Sequence, residues 1–107
     1  MFETLKDLGV FQLKDLIDYK DGQLNKVLLE KNDNFRMALM AYDKDVVLPE
    51  HAACGDAILF ALEGSATITY NNKEYQINKG ENIRFERAIP HSIKANTRFK
   101  MALVVVI

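Results

Sequence analysis

Between Leu24 and Ile107 the chain is cut into eight short apolar or alternating runs, with no long helical segment between any two of them. They are Leu24–Glu30, Phe35–Tyr42, Ala57–Glu63, Ala66–Tyr70, Glu74–Ile77, Asn82–Phe85, His91–Ala95 and Phe99–Ile107. Turn-forming residues separate them at short intervals, among them Lys31–Asn34, Asp43–Asp45, Glu63-Gly64, Asn71-Asn72, Asn78–Gly80 and Ala95–Thr97. The plainest hairpin is Ser65–Tyr70, Asn71-Asn72, Lys73–Ile77. Its first arm alternates, with Ala66, Ile68 and Tyr70 on one face and Ser65, Thr67 and Thr69 on the other.

Many short strands without crossover helices predict an all-β, antiparallel fold, and eight strands suit a two-sheet jelly roll or β-barrel enclosing a small interior. Residues 1–23 read differently. Phe2, Leu5 and Leu8, then Leu13, Leu16 and Ile17, suggest one or two helical turns broken at Gly9, a short arm attached to the barrel of residues 24–107. Such an arm could cap the barrel mouth, bridge a dimer, or do both. Two runs, Ala57–Leu62 and Met101–Ile107, are apolar on both faces, which predicts central strands with an outer cover. The arm or a second copy of the chain could supply that cover, so a homodimer is expected.

At 107 residues the chain fits one domain, and a net charge of −1 with 49% hydrophobic residues is ordinary for a globular protein. Residues 1–53 hold 7 basic and 10 acidic residues, and residues 54–107 hold 7 and 5, so neither half offers a cationic surface for nucleic acid. Met1–Leu8 carries acids where a signal peptide is basic, and Met101–Ile107 is far shorter than the roughly 20 residues of a membrane helix. The lone Cys54 has no partner for a disulfide. A cytoplasmic protein without a membrane partner is the expectation.

Chemistry concentrates on the only two histidines, each closely following one of the only two prolines, in Pro49-Glu50-His51 and Pro90-His91. Their surroundings, Leu48–His51, Ile58–Gly64 and Gly80–Ser92, resemble the cupin superfamily, in particular its small single-domain, conserved-barrel members. The resemblance spans roughly residues 24–107. Leu62-Glu63-Gly64 is similar to the close of the first cupin motif and Gly80 to the opening glycine of the second. Eleven positions beyond Gly80 stands His91, where that motif places its histidine.

Other motif positions have changed. Counting back from Gly64, the family's metal-binding glutamate falls on Ala57, its two histidines on His51 and Ala53, and its first glycine on Asp45. In the second motif the proline, glycine and asparagine fall on Glu86, Ala88 and Ala95. The resemblance implies a three-histidine, one-carboxylate centre for a divalent transition metal such as zinc, nickel, iron, manganese or copper, and only His51 and His91 of that set remain. Two imidazoles are a weak site, since such metals normally take three or four donors. Alternation places His51, Ala53, Gly55 and Ala57 on one face and Cys54 and Asp56 on the other. A bulge at Gly55 would turn Asp56 inward as an additional donor.

The small residues Ala53, Gly55 and Ala57 also leave room for an organic molecule, with Met37, Met40, Tyr42, Phe60, Arg84 and Phe85 as candidate lining. The leading reading is a barrel that binds a small polar ligand at a cavity marked by His51 and His91, with or without a weakly held divalent metal and with no organic cofactor. The alternatives are a minimal metal-dependent enzyme of isomerase, decarboxylase or dioxygenase type, and a metal-free dimerising scaffold. No nucleophile elbow is present, and Cys54 lacks the cation or base that would activate it.

Overall fold

The computed structural model describes residues 1–107. Nine strands form two antiparallel sheets: β1 (Leu24–Lys31), β2 (Phe35–Tyr42), β3 (Val47–His51), β4 (Asp56–Glu63), β5 (Ser65–Tyr70), β6 (Lys73–Asn78), β7 (Asn82–Phe85), β8 (His91–Ala95) and β9 (Phe99–Val106). One sheet runs in the order β1-β2-β9-β4-β7 and the other β3-β8-β5-β6, the face-to-face arrangement of a jelly roll. Both doubly apolar runs, β4 and β9, lie in the interior of the five-stranded sheet, as their composition requires. The strand missing from the sequence pattern is β3. Its five residues include Pro49 and two charged or ionisable side chains and bury none of them fully, so no alternation marks it.

The core follows the pleat. Met40, Tyr42, Ala57, Leu59, Phe99 and Met101 from one sheet meet Ala66, Ile68, Ile77 and Ile93 from the other. In the β5–β6 hairpin Asn71 and Asn72 both have positive φ, 50° and 62°, the pair of left-handed residues that a two-residue type I′ connection demands. Ala66 and Ile68 are wholly buried on the face the alternation assigns them.

The arm neither caps the mouth nor leaves the body. It forms two 3-10 turns, Glu3–Leu5 and Leu13–Leu16. Phe2, Leu5, Leu13, Leu16 and Ile17 close over Leu29, Leu39, Ala41 and Ala102 on the outer face of the five-stranded sheet. Tyr19 fixes its end: the phenol donates to Glu63 Oε2 at 2.5 Å, and Arg98 and Lys100 stand over the ring at 5.0 and 4.9 Å. The cover is partial. Ile58, Phe60 and Val106, farther across the same face, stay exposed.

The altered motif positions keep the backbone of the glycines they replace. Asp45 has φ 69° and Ala88 φ 66°, both left-handed, the region glycine enters without strain. Gly64 has φ 77°, and a side chain there would collide with the Arg98 carbonyl.

Candidate functional site

The imidazole pair depends on one irregularity. Along β3 and β8 the partners are Leu48↔Ile93 and His51↔His91, three residues against two, so β3 carries one extra residue between Leu48 and His51. Leu48 packs on the core beside Ile93, and without that extra residue the next inward position would be Glu50. The bulge substitutes His51. It falls where Pro49 cannot donate a ladder hydrogen bond, which is where a bulge is cheapest.

The two rings meet edge to face at 4.3 Å between centroids, and His91 lies flat on Phe85 at 3.9 Å with 4° between planes. His91 is buried, whereas His51 is exposed at the rim. Burial, reinforced by the neighbouring His51, holds the His91 pKa below the ordinary imidazole range against the opposing pull of the Ile89 carbonyl. The Nδ1–H of His51 donates to the Pro49 carbonyl at 3.0 Å, and that of His91 to the Ile89 carbonyl at 3.4 Å. A carbonyl only accepts, so in each neutral ring the proton sits on Nδ1 and the lone pair on Nε2.

Asp56 is not brought to the pair. Its Oδ1 accepts the Arg87 backbone N–H at 2.9 Å and its Oδ2 stands 3.9 Å from Arg84, tying β4 to the loop before β8. Gly55 does not host the bulge that would turn it. It packs so tightly on the last residues of β9 that any side chain would strike the Val106 carbonyl, and β4 then starts with Asp56 outward and Ala57 inward. No group of three or more histidine, cysteine, aspartate or glutamate side chains is assembled anywhere in the molecule. Two imidazoles without a third donor do not fit a resident transition metal.

Beside the pair a cleft of about 290 Å³ opens between the sheets. Its floor is apolar, from Leu28, Ala38, Met40, Leu103 and Val105, and its polar members are Lys26, Arg36, His51 and Cys54. Of the six lining candidates in the sequence only Met40 belongs here. Tyr42 and Phe85 are wholly buried in the core, Met37 lies beneath the arm, and Phe60 points outward. Arg84 lines a different opening, beside Tyr70 and Tyr75. Parity separates them, because Arg36, Ala38, Met40 and Tyr42 share the inner face of β2 and Met37 does not. The sequence contained that signal for Arg36, an arginine in phase with inward residues. Lys26 is in phase too, opposite Met40 in register.

The cupin-domain family matches residues 38–107, more than half of the sequence. The chain belongs to the cupin family. Among solved structures this cupin is similar to a conserved protein of unknown function from Streptococcus pyogenes, at 28% identity and a TM-score of 0.88 over 92% of this chain and 87% of that one. It is also similar to a cupin 2 conserved barrel domain protein from Leptotrichia buccalis, at 30% identity and a TM-score of 0.87. That match covers 91% of this chain and 47% of the longer Leptotrichia chain. A cupin superfamily protein from Desulfitobacterium hafniense shares the fold, with a TM-score of 0.87 at 23% identity over 91% and 89% of the two chains. No curated protein matches the sequence. No helix is long and apolar enough to cross a membrane.

Proposed function

We propose that this cupin is a binding module that holds a small polar organic molecule in the cleft beside His51 and His91, with no resident metal. The observation that carries the reading is the cleft itself, about 290 Å³ of apolar-floored space with His51 at its rim. Small-molecule sites have this character, a largely apolar concavity with a few convergent polar groups. His91 supports His51 from behind, and the open Nε2 of a neutral imidazole accepts a hydrogen bond from a hydroxyl or amide. A metal-dependent enzyme is disfavoured by the donor set, since Ala53 and Ala57 stand where the family resemblance calls for a histidine and a glutamate. The test is thermal denaturation against a metabolite panel, with and without chelator, on wild type and His51→Ala. Stabilisation that survives the chelator and disappears in the variant supports the reading; stabilisation by metal alone overturns it.

We also propose that a second copy covers the outer face of β4 and β9. Ile58 lies opposite Val104, and Phe60 and Val106 flank them on that face, beyond the reach of the arm. Sedimentation of wild type beside Phe60→Lys tests this: a dimer that dissociates in the variant is expected, and a wild-type monomer at high concentration excludes it.

A further inference from the structure

We infer that the ligand of this cleft is an anion, a monocarboxylate carried on a small apolar body. The inference rests on the binding reading above and names its chemical class. Although the chain as a whole has a net charge of −1, no aspartate or glutamate is among the residues that line the cleft, while Lys26 and Arg36 both are. The positive charge is unanswered within the protein, since neither residue takes part in any of the salt bridges. The Nε of Arg36 is the one buried side-chain nitrogen or oxygen without a hydrogen-bond partner.

An unpartnered guanidinium N–H in a folded protein is costly and marks a place where something else supplies the acceptor. A carboxylate is that acceptor in its simplest form, because its two oxygens match the guanidinium fork and its charge is met again by the lysine. The apolar floor says what the carboxylate is attached to. Ala38, Met40, Leu103 and Val105 offer no hydrogen-bonding side chain, so a compact hydrophobic group satisfies them and a second charged group does not. At about 30 Å³ per atom the space holds roughly ten non-hydrogen atoms, the size of a benzoate or a branched short-chain acid. The two cations sit on neighbouring strands of one sheet, Lys26 opposite Met40 and Arg36 two register steps along β2 from Ala38's neighbour Met40's side of the floor, so both reach the same end of the cleft.

Calorimetric titration of the full chain with benzoate, benzyl alcohol, benzylamine and inorganic phosphate tests the inference, with His51 ring resonances reporting the place of binding. Benzoate is expected to bind at least about tenfold more tightly than benzyl alcohol, the ratio of one charge-assisted hydrogen bond over a neutral one, and benzylamine not at all. Arg36→Met and Lys26→Met should each remove that preference, and Arg36→Met should raise the Tm of the free protein by deleting the unpartnered N–H. Equal binding of benzoate and benzyl alcohol at His51 overturns the anion and leaves the cleft reading standing. Phosphate binding more tightly than benzoate overturns the apolar body. Failure of all four to perturb His51 overturns the monocarboxylate, and the metabolite panel then judges the cleft separately. Because either variant alone answers for the charge, a folding failure of one leaves the other decisive.

Discussion

His51 faces His91 only because β3 carries one residue more than β8 between Leu48 and His51, and the rings meet at 4.3 Å. Deleting Glu50 removes the surplus and returns the strand to plain alternation, which turns the histidine to the outer face. The expected cost in stability is about 1 kcal/mol, typical of a single change outside the core. Cross-peaks between the two rings in NMR spectra should vanish while the remainder of the barrel keeps its shifts. Ring contacts that persist after the deletion would show that something other than the bulge aligns the pair.

Burial of His91 ties stability to pH. Its folded-state pKa lies below the ordinary value, so as pH falls through about 6.5 the unfolded chain takes up a proton that the folded chain refuses. Protons bound preferentially by the unfolded state lower stability, which is therefore flat above about pH 7 and declines between there and the depressed His91 pKa. Glu30 and Asp43, whose carboxyls are held low by backbone and side-chain hydrogen bonds, contribute only below the carboxylate range. Urea denaturation at pH 7.5 and pH 5.5 should show the decline in wild type and a flatter response in His91→Phe, which keeps an aromatic ring on Phe85. Parallel declines in the two proteins would assign the effect elsewhere.

Most of the barrel was legible from residues 24–107 because its strands obey the period-two rule and its turns use residues suited to left-handed backbone, Asn71-Asn72 above all. What escaped is tied to departures from that rule. Strand β3 is short, contains Pro49 and buries no side chain fully, so it has no pattern. The site was half visible: two histidines near prolines were found, but Asp56 was considered as a donor although it tethers Arg87 and Arg84. Arg36 was passed over because an arginine among apolar residues looks like a solvent-facing interruption until the register with Val105 places it inside.

Ala88 should accept glycine with profit. A left-handed L-residue costs about 1–2 kcal/mol, while glycine loses roughly 0.5–1 kcal/mol through the unfolded chain. Ala88→Gly is therefore expected to stabilise by about 0.5 kcal/mol, read as a higher midpoint in urea. Gly64→Ala, at φ 77° against the Arg98 carbonyl, should cost about 2 kcal/mol or more. A destabilised Ala88→Gly would mean that the alanine methyl makes a contact worth more than the strain.

The clasp at Tyr19 holds the arm. Tyr19→Phe deletes the hydrogen bond to Glu63 but leaves the ring under Arg98 and Lys100, and should cost about 1–2 kcal/mol. Hydrogen exchange should quicken in residues 2–17 ahead of the barrel strands. Uniform quickening throughout the chain would show that arm and barrel open as one unit.

The vacated donor positions make the strongest claim about lineage testable in reverse. Ala57 is buried on the inner face opposite Phe85, and Ala53 lines the cleft next to His51. Returning a glutamate to 57 and a histidine to 53 supplies the two donors that the cupin set lacks here. Without metal, the Ala53→His/Ala57→Glu protein should lose several kcal/mol, because a carboxylate has been buried without a partner. Adding zinc or nickel should recover that loss, since a metal bound only by the folded state stabilises it by mass action. Wild type should show no metal-dependent Tm and no stoichiometric metal on elemental analysis. A wild-type protein that already carries one tightly held metal per chain would mean that a donor other than these side chains completes the site, and it would move metal-dependent chemistry ahead of metal-free binding.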